Sequence, residues 1–248
     1  AYDLAGNLVR AVDAEGRVTQ NTYDALNRLV KVTNAQNNFR QIENDYWGNQ
    51  TRVVDEENRA TTFTYDAVNR MLSTTDATNR TTNYRYDAVG NLTQIFDAQQ
   101  GLAGTPIAFV YDDLNRRTRW TDQTNKVTQY AYDALGNLTG VTLPSGAVLT
   151  MTYDQLNRLK DRTYPGGSKD ILTYDAVSNM LTAQSAGGFT YTYQYDKLNR
   201  LTSLRDSRFT QAMTFAYDAM GNRVSQVDGG VGTTTYRYDL LNRPVQIS

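Results

Sequence analysis

Apolar and polar positions alternate along this chain in short runs, separated by clusters of Asp, Asn and Gly. In RATTFTYD (59–66), Phe63 and Tyr65 fall on one side of an extended chain, and Thr62 and Thr64 on the other. That is the period of a half-buried strand. An apolar or aromatic residue stands two positions before a recurring tyrosine, as in Phe63, Tyr84, Phe109, Tyr130, Met151, Leu172, Tyr193, Phe215 and Tyr236, with Asn21 an exception. No 3.6-residue period competes. The pattern predicts an all-β, helix-free antiparallel ribbon with a turn every ten or eleven residues and strands of about six or seven.

The ribbon is written as one repeated phrase. TYDALNRLV (22–30) returns as TYDAVNRML (64–72) and TYDQLNRLK (152–160), and aligning on Tyr-Asp gives twelve starts, at 2, 23, 44, 65, 86, 111, 132, 153, 174, 195, 217 and 238. The spacing is 21 except for 25 after Tyr86 and 22 after Tyr195, and the third copy places Asn44 where tyrosine is expected. Repeats of this kind mark an architecture built by stacking one unit on the next.

Each column of the phrase has a physical reading. Asp fills one column in all twelve copies, an apolar residue follows two positions later, and the next column holds Gly, Asn or, once, Ser178. Gly and Asn adopt positive φ most cheaply. Asp followed three residues later by such a residue describes a type I turn in which the carboxylate accepts backbone N–H bonds and the left-handed residue closes the hairpin with a bulge. On this reading the structural turn positions include Asp24 and Asn27, Asp66 and Asn69, Asp87 and Gly90, Asp133 and Gly136, Asp154 and Asn157, and Asp196 and Asn199. Gly is always followed by Asn and Asn by Arg, so two turn dialects exist that do not mix. A second turn sits about ten residues further on, as DAEGR (13–17), DEENR (55–59), DATNR (76–80) and DQTNK (122–126), and as LPSGA (143–147), YPGGS (164–168) and AGGFT (186–190) in later copies.

Two strands per copy make about 24 strands in a single array over residues 1–248, interrupted by a loop insertion at 97–106. At ~4.8 Å per strand the sheet would run for about 115 Å while being only ~23 Å wide. Strand twist and the instability of long flat sheets require so long a ribbon to curl. Closed into one ring, that contour gives a diameter of roughly 37 Å. Both chain ends fall inside the repeated phrase, so the sequence is expected to be a piece of a longer protein, truncated at both ends.

YDALGNLT (132–139), YDAVGNLT (86–93) and YDKLNRLT (195–202) resemble the Tyr-Asp repeat of RHS (rearrangement hot spot) proteins, and the resemblance covers essentially the whole chain. It implies a spiral β-shell. In bacterial members such a shell encloses a C-terminal toxin, and in animal teneurins a similar shell belongs to a cell-adhesion receptor. The self-cleaving cap of the bacterial family carries a DPxGL-type motif. No Asp-Pro pair occurs in this chain, which leaves cap and toxin outside the sequence.

Composition narrows the chemistry. With no His and no Cys, the chain offers no imidazole base, no thiolate nucleophile and none of the usual zinc ligands. Lys and Arg (25) nearly balance Asp and Glu (26) without a basic block, which argues against nucleic-acid binding. No apolar run approaches the ~20 residues of a membrane span. Repeat aspartates two strands apart would lie roughly 9.6 Å from one another, near the separation of an inverting glycosidase pair. A catalytic pair should nevertheless be singular, and this column is filled twelve times by a residue that every turn needs. The expectation is a non-enzyme with no catalytic, metal or cofactor residues.

Two readings stay open for the aromatic ladder. Tyr65, Tyr86, Tyr132, Tyr153, Tyr174 and Tyr195 either pin register by cross-strand packing or form stacking platforms for sugar rings or a cargo peptide. Trp47, in an apolar turn column, is expected to pack. The sequons at Asn49, Asn79, Asn91 and Asn137 fall out of the turn grammar and are expected to be incidental. The favoured function is a shell segment of a large exported protein, at the cell surface or outside the cell, that encloses or presents a toxin or other cargo from its own chain. The alternative is a surface adhesion or carbohydrate-binding module with glycans or another cell surface as partner. Open edge strands would also allow a homodimer.

Overall fold

The computed structural model describes residues 1–99, 101–229 and 231–248. They form 23 strands, with an isolated bridge between Tyr2 and Leu8 where the first hairpin would begin. The all-β reading holds with one exception, a single 3₁₀ turn at Gly101–Ala103. The strands are shorter than the spacing predicts, mostly five or six residues, because each turn with its closing residue takes up five.

The chain divides into two compact units, Ala1–Val127 and Thr128–Ser248. In the first, eleven strands from Arg10–Val12 to Arg117–Thr121 follow one another, each antiparallel to its sequence neighbours. In the second, the strands from Val127–Tyr132 to Pro244–Ile247 do the same. Each unit is a single layer without an enclosed core. Ile42, Val54, Phe96 and Thr128 are the buried residues among those described. The aromatic ladder is therefore half-buried rather than interior, and a large share of stability must reside in the backbone ladder, the turns and cross-strand pairs.

The turns take the expected geometry. In all twelve copies the closing residue has positive φ, from 58° at Asn157 to 101° at Gly90, Ser178 included. The Asn69 N–H donates to the Asp66 carbonyl at 3.0 Å, and the Asp66 N–H to the Arg70 carbonyl at 2.9 Å. This is a type I turn closed by a left-handed residue. The second turns follow the same scheme at Asn37, Asn58, Asn79 and Asn125, and at Gly16, Gly146, Gly167 and Gly188.

The two turn rows differ one step into the hairpin. Beside each first turn from the second copy onward the register shifts by one residue, as between Thr64 and Tyr65, which pair with Ser73 and Met71 and leave Leu72 unpaired. The hairpins closed by the second turns, such as Arg52–Val54 on Ala60–Thr62, run without a shift. A bulge adds local twist, and here the bulges belong to the Tyr-Asp row of hairpins. At four of these shifts the extra residue is a threonine whose hydroxyl bonds a backbone carbonyl of the facing strand. Thr51 reaches the Glu43 oxygen, Thr93 that of Arg85, Thr118 that of Val110 and Thr202 that of Gln194, at 3.1–3.3 Å.

The 97–106 insertion begins as an ordinary turn, with the Gln99 N–H on Asp97 Oδ1 at 2.7 Å. It continues through the 3₁₀ turn before Ile107–Tyr111 resumes the ladder. Gln100, within it, lies outside the described residues.

Candidate functional site

The repeat aspartates are fully engaged in their own turns. Asp66 Oδ1 accepts the N–H groups of Val68 at 3.0 Å and Arg70 at 2.9 Å, and Oδ2 accepts Arg70 Nε at 2.7 Å. Asp24, Asp154 and Asp196 repeat the set with Arg28, Arg158 and Arg200. In the other dialect Asn replaces Arg, and Asn91 Nδ2 reaches Asp87 Oδ2 at 3.0 Å, as Asn137 reaches Asp133 at 2.9 Å. These bonds hold the carboxyls below the ordinary aspartate range. The Arg70 backbone N–H leads at Asp66 and the Asn137 side chain at Asp133, while at Asp87 and Asp154 desolvation pushes upward and is outweighed by the hydrogen bonds. Such groups are poor proton donors at neutral pH. Among the described residues no cluster of three or more acidic side chains could hold a metal ion.

The bonds that leave each turn explain the two dialects, which pattern reading had separated without explaining. Gly-Asn and Asn-Arg copies alternate along the chain, with Ser178-Asn179 in the Gly-Asn role. From each Gly-Asn copy the Asn Nδ2 donates to Oδ1 of the closing Asn in the next copy, as from Asn7 to Asn27 at 2.9 Å, Asn49 to Asn69 at 2.8 Å and Asn179 to Asn199 at 3.0 Å. From Asn-Arg copies the Arg Nη1 donates to the next Asp carbonyl, as from Arg28 to Asp45 at 2.9 Å and Arg70 to Asp87 at 3.0 Å. Where Ser178 replaces glycine, its Oγ also accepts from Arg158 Nη1, at 3.1 Å. A glycine in every copy would remove the acceptor for the Asn amides. The link that could have been read from sequence is the strict order of the dialects.

The ladder tyrosines also face their neighbours. Tyr65 donates its hydroxyl to the Gln50 carbonyl at 3.0 Å, Tyr86 to Met71 at 2.9 Å, Tyr153 to Leu138 at 2.9 Å and Tyr174 to Leu159 at 3.0 Å. The acceptor lies fifteen residues back, but nineteen for Tyr111 on Leu92 and sixteen for Tyr217 on Leu201. The bond thus persists across both irregular spacings, so the additional residues loop outside the ladder. Arg70 lies over the Tyr86 ring at 4.9 Å and Arg158 over Tyr174 at 4.6 Å, covering one face of those rings. Burial pushes the Tyr65, Tyr86 and Tyr195 phenols up. Tyr132 ends the strand Val127–Tyr132 and is half-buried like the others.

Trp47 departs from expectation. It is 73% exposed at the turn apex, with its ring edge to face against Tyr46 at 5.1 Å. The apex of a two-residue bend lies at the rim of its sheet, so an apolar side chain there keeps most of its surface in solvent. The sequon residues Asn49, Asn91 and Asn137 have both amide hydrogens engaged, on their own Asp and on the next Asn.

One cavity was not foreseen. A half-open pocket of about 600 Å³ is lined by Tyr191, Leu204, Phe209, Met213 and Val231 together with Asp206 and Asp228. It lies where the second turns of copies ten and eleven abandon the regular grammar. Arg208 is held by Asp206 at 2.6 Å and lies over Phe189 at 4.2 Å. The 22-residue spacing after Tyr195 was its sequence signal.

The comparisons agree with this geometry. The RHS repeat family matches residues 2–38, 45–81, 111–148, 132–169 and 172–208, more than half of the sequence. The chain belongs to the RHS repeat family. No curated protein matches it by sequence. Among solved structures, it is similar to a TcdB2–TccC3–Cdc42 crystal structure at 18% identity and TM-score 0.58, covering 100% of this chain and 16% of that one. A TcdB2–TccC3 crystal structure gives 18% identity and TM-score 0.59 over 100% of this chain and 17% of that one. The Photorhabdus luminescens Tc holotoxin pore gives 16% identity and TM-score 0.51 over 96% and 16%. These likenesses establish a shared fold, and the chain spans only about a sixth of the chains it matches.

Proposed function

We propose that this chain is a non-catalytic wall segment of a larger exported RHS-repeat protein, in which a single curved array of repeats encloses or presents a toxin or other cargo from the same polypeptide. The observation that carries the proposal is the turn network: carboxylates, amides and guanidinia that elsewhere perform chemistry are here engaged in linking one hairpin to the next. A surface whose polar groups satisfy one another suits a barrier. Membership of the RHS repeat family and a fold shared with segments of Tc toxin structures support the reading.

Protease protection tests it. In the longer polypeptide, the cargo portion should resist digestion while the repeat wall is intact and become sensitive when Asn49, Arg70 and Asn91 are replaced together by Ala. Equal digestion of cargo in both forms contradicts enclosure. The glycan-binding reading would require sugar affinity that disappears on Tyr→Ala changes, with heat measured by calorimetry.

A further inference from the structure

The apices of the Tyr-Asp turns carry a row of exposed apolar side chains. In the unit Ala1–Val127 these are Leu26 (64% exposed), Trp47 (73%), Val68 (67%), Val89 (75%) and Leu114 (67%), with Tyr46 (84%) beside Trp47. Single exposed apolar residues are ordinary, but a contiguous apolar surface marks an interaction site.

The turn itself does not require this chemistry. The second turns provide a control within the same unit: Glu57 N–H lies on Asp55 Oδ1 at 3.1 Å just as Val68 N–H lies on Asp66 Oδ1 at 3.0 Å, and both turns close through a left-handed Asn. Yet the equivalent apex positions on that row are Glu15, Gln36, Glu57 and Thr78. Identical backbone geometry therefore supports polar apices on one rim and apolar apices on the other. The apolar apices leave about two thirds or more of their surface in solvent. Cover for that surface must come from outside the sheet.

We propose that this apolar rim docks against the same rim of a second copy of the chain, about a two-fold axis. Polarity selects the arrangement. A head-to-tail stack would press the apolar row onto the opposite rim and desolvate Glu15 and Glu57, which are bonded to Arg17 and Arg59 at 2.7 and 2.9 Å. Rim against like rim joins apolar to apolar, and a two-fold operation makes the contact self-complementary. Apices repeat every two strands, roughly 9.6 Å, so a partner with the same period meets several of them in one register. Trp47 is the natural anchor, since aromatic side chains dominate interface energetics.

The size of the patch sets the strength. Leu and Val contribute roughly 60–120 Å² each on burial, and Trp and Tyr 150–250 Å². With the already covered share of each side chain discounted, the row supplies on the order of 400–700 Å² per partner, below the ~800 Å² per partner of a standard interface and in the transient class. Association is expected in the micromolar range.

Sedimentation velocity of the 248-residue chain across about 1–200 μM, that micromolar range, tests the assignment. The expected result is a concentration-dependent monomer–dimer equilibrium. Trp47→Gln combined with Val68→Gln should weaken it at least tenfold while leaving the melting temperature within a few degrees, because both side chains are exposed. Glu57→Gln, on the opposite rim, should leave the equilibrium unchanged. A chain that is monomeric throughout overturns the proposal, as does a dimer that survives the double substitution, which would assign association to open edge strands. Enclosure of cargo can fail independently of this result, since it is read by protease protection.

Discussion

Asn49 and Asn69, twenty residues apart, are joined by a 2.8 Å hydrogen bond from the Nδ2 of one to the Oδ1 of the other. The same Nδ2 donates to Asp45 Oδ2 at 2.8 Å, so one amide ties its own turn together and fastens it to the next. Arg70 then carries the connection forward to Asp87. Alternation of the two linkers makes a pair of copies, four strands, the true repeating unit.

Removing the acceptor should therefore cost stability even where the turn is preserved. Turn chemistry alone would predict that Asn69→Gly is tolerated, because glycine closes five sister turns. With the Asn49 bond counted, the expected loss is about 0.5–1 kcal/mol. A double-mutant cycle with Asn49→Ala, followed by urea unfolding, should return a coupling of similar size. Additive effects would deny the link.

Asn69→Val should be worse than Asn69→Gly, at about 1–2 kcal/mol of backbone strain plus the lost bond, because a β-branched residue resists the 64° φ at this position. Equal melting temperatures for the two variants would contradict the left-handed turn.

The Tyr65 hydroxyl offers a test of the ladder. Tyr65→Phe keeps the ring and removes the donor to Gln50, leaving a half-buried carbonyl to solvent, with an expected cost of about 1 kcal/mol by thermal unfolding. Tyr86→Phe should behave likewise through Met71.

Arg70→Lys should not be conservative. Lysine cannot supply Nε to Asp66 and Nη1 to Asp87 at once, nor cover the Tyr86 ring as a planar group. The variant should fall nearer to Arg70→Ala than to wild type in melting temperature.

Acid should unfold the ribbon in a defined direction. Asp24, Asp66 and Asp196 have lowered folded pKa values, led by the backbone N–H bonds from Arg28, Arg70 and Arg200. Their contribution is present above the unfolded aspartate value of about 3.9 and is lost as pH falls through the lower folded values. Stability should therefore be flat from neutrality to about pH 5 by this linkage and decline below about pH 4. Stability that rises on acidification would contradict the carboxylate bonds.

Much of this architecture is written locally and so was legible. Within their own turns Asp66, Asn69 and their sister residues act through contacts two to four residues apart, which a sequence pattern displays directly. What pattern reading missed depends on neighbouring turns. The Asn49–Asn69 bond, the Tyr65 hydroxyl on Gln50 and the carbonyl cap by Thr51 need the hairpins placed side by side. Trp47 was misjudged for a related reason, since its apolar column suggested burial while its place at a turn apex points it to solvent. The cavity beside Phe209 arises where the phrase loses its period, so no sister copy could announce it.

The measurement that tests the account most directly is a dialect exchange. Replacing Gly48 and Asn49 with Asn and Arg places three Asn-Arg copies in succession while keeping every turn competent to close. The account predicts a lower melting temperature and faster amide exchange at the neighbouring turns around Asp24 and Asp66, because Asn69 loses its donor and Arg28 meets an altered turn. Unchanged stability and exchange would show that the copies are independent hairpins and that alternation carries no structural weight.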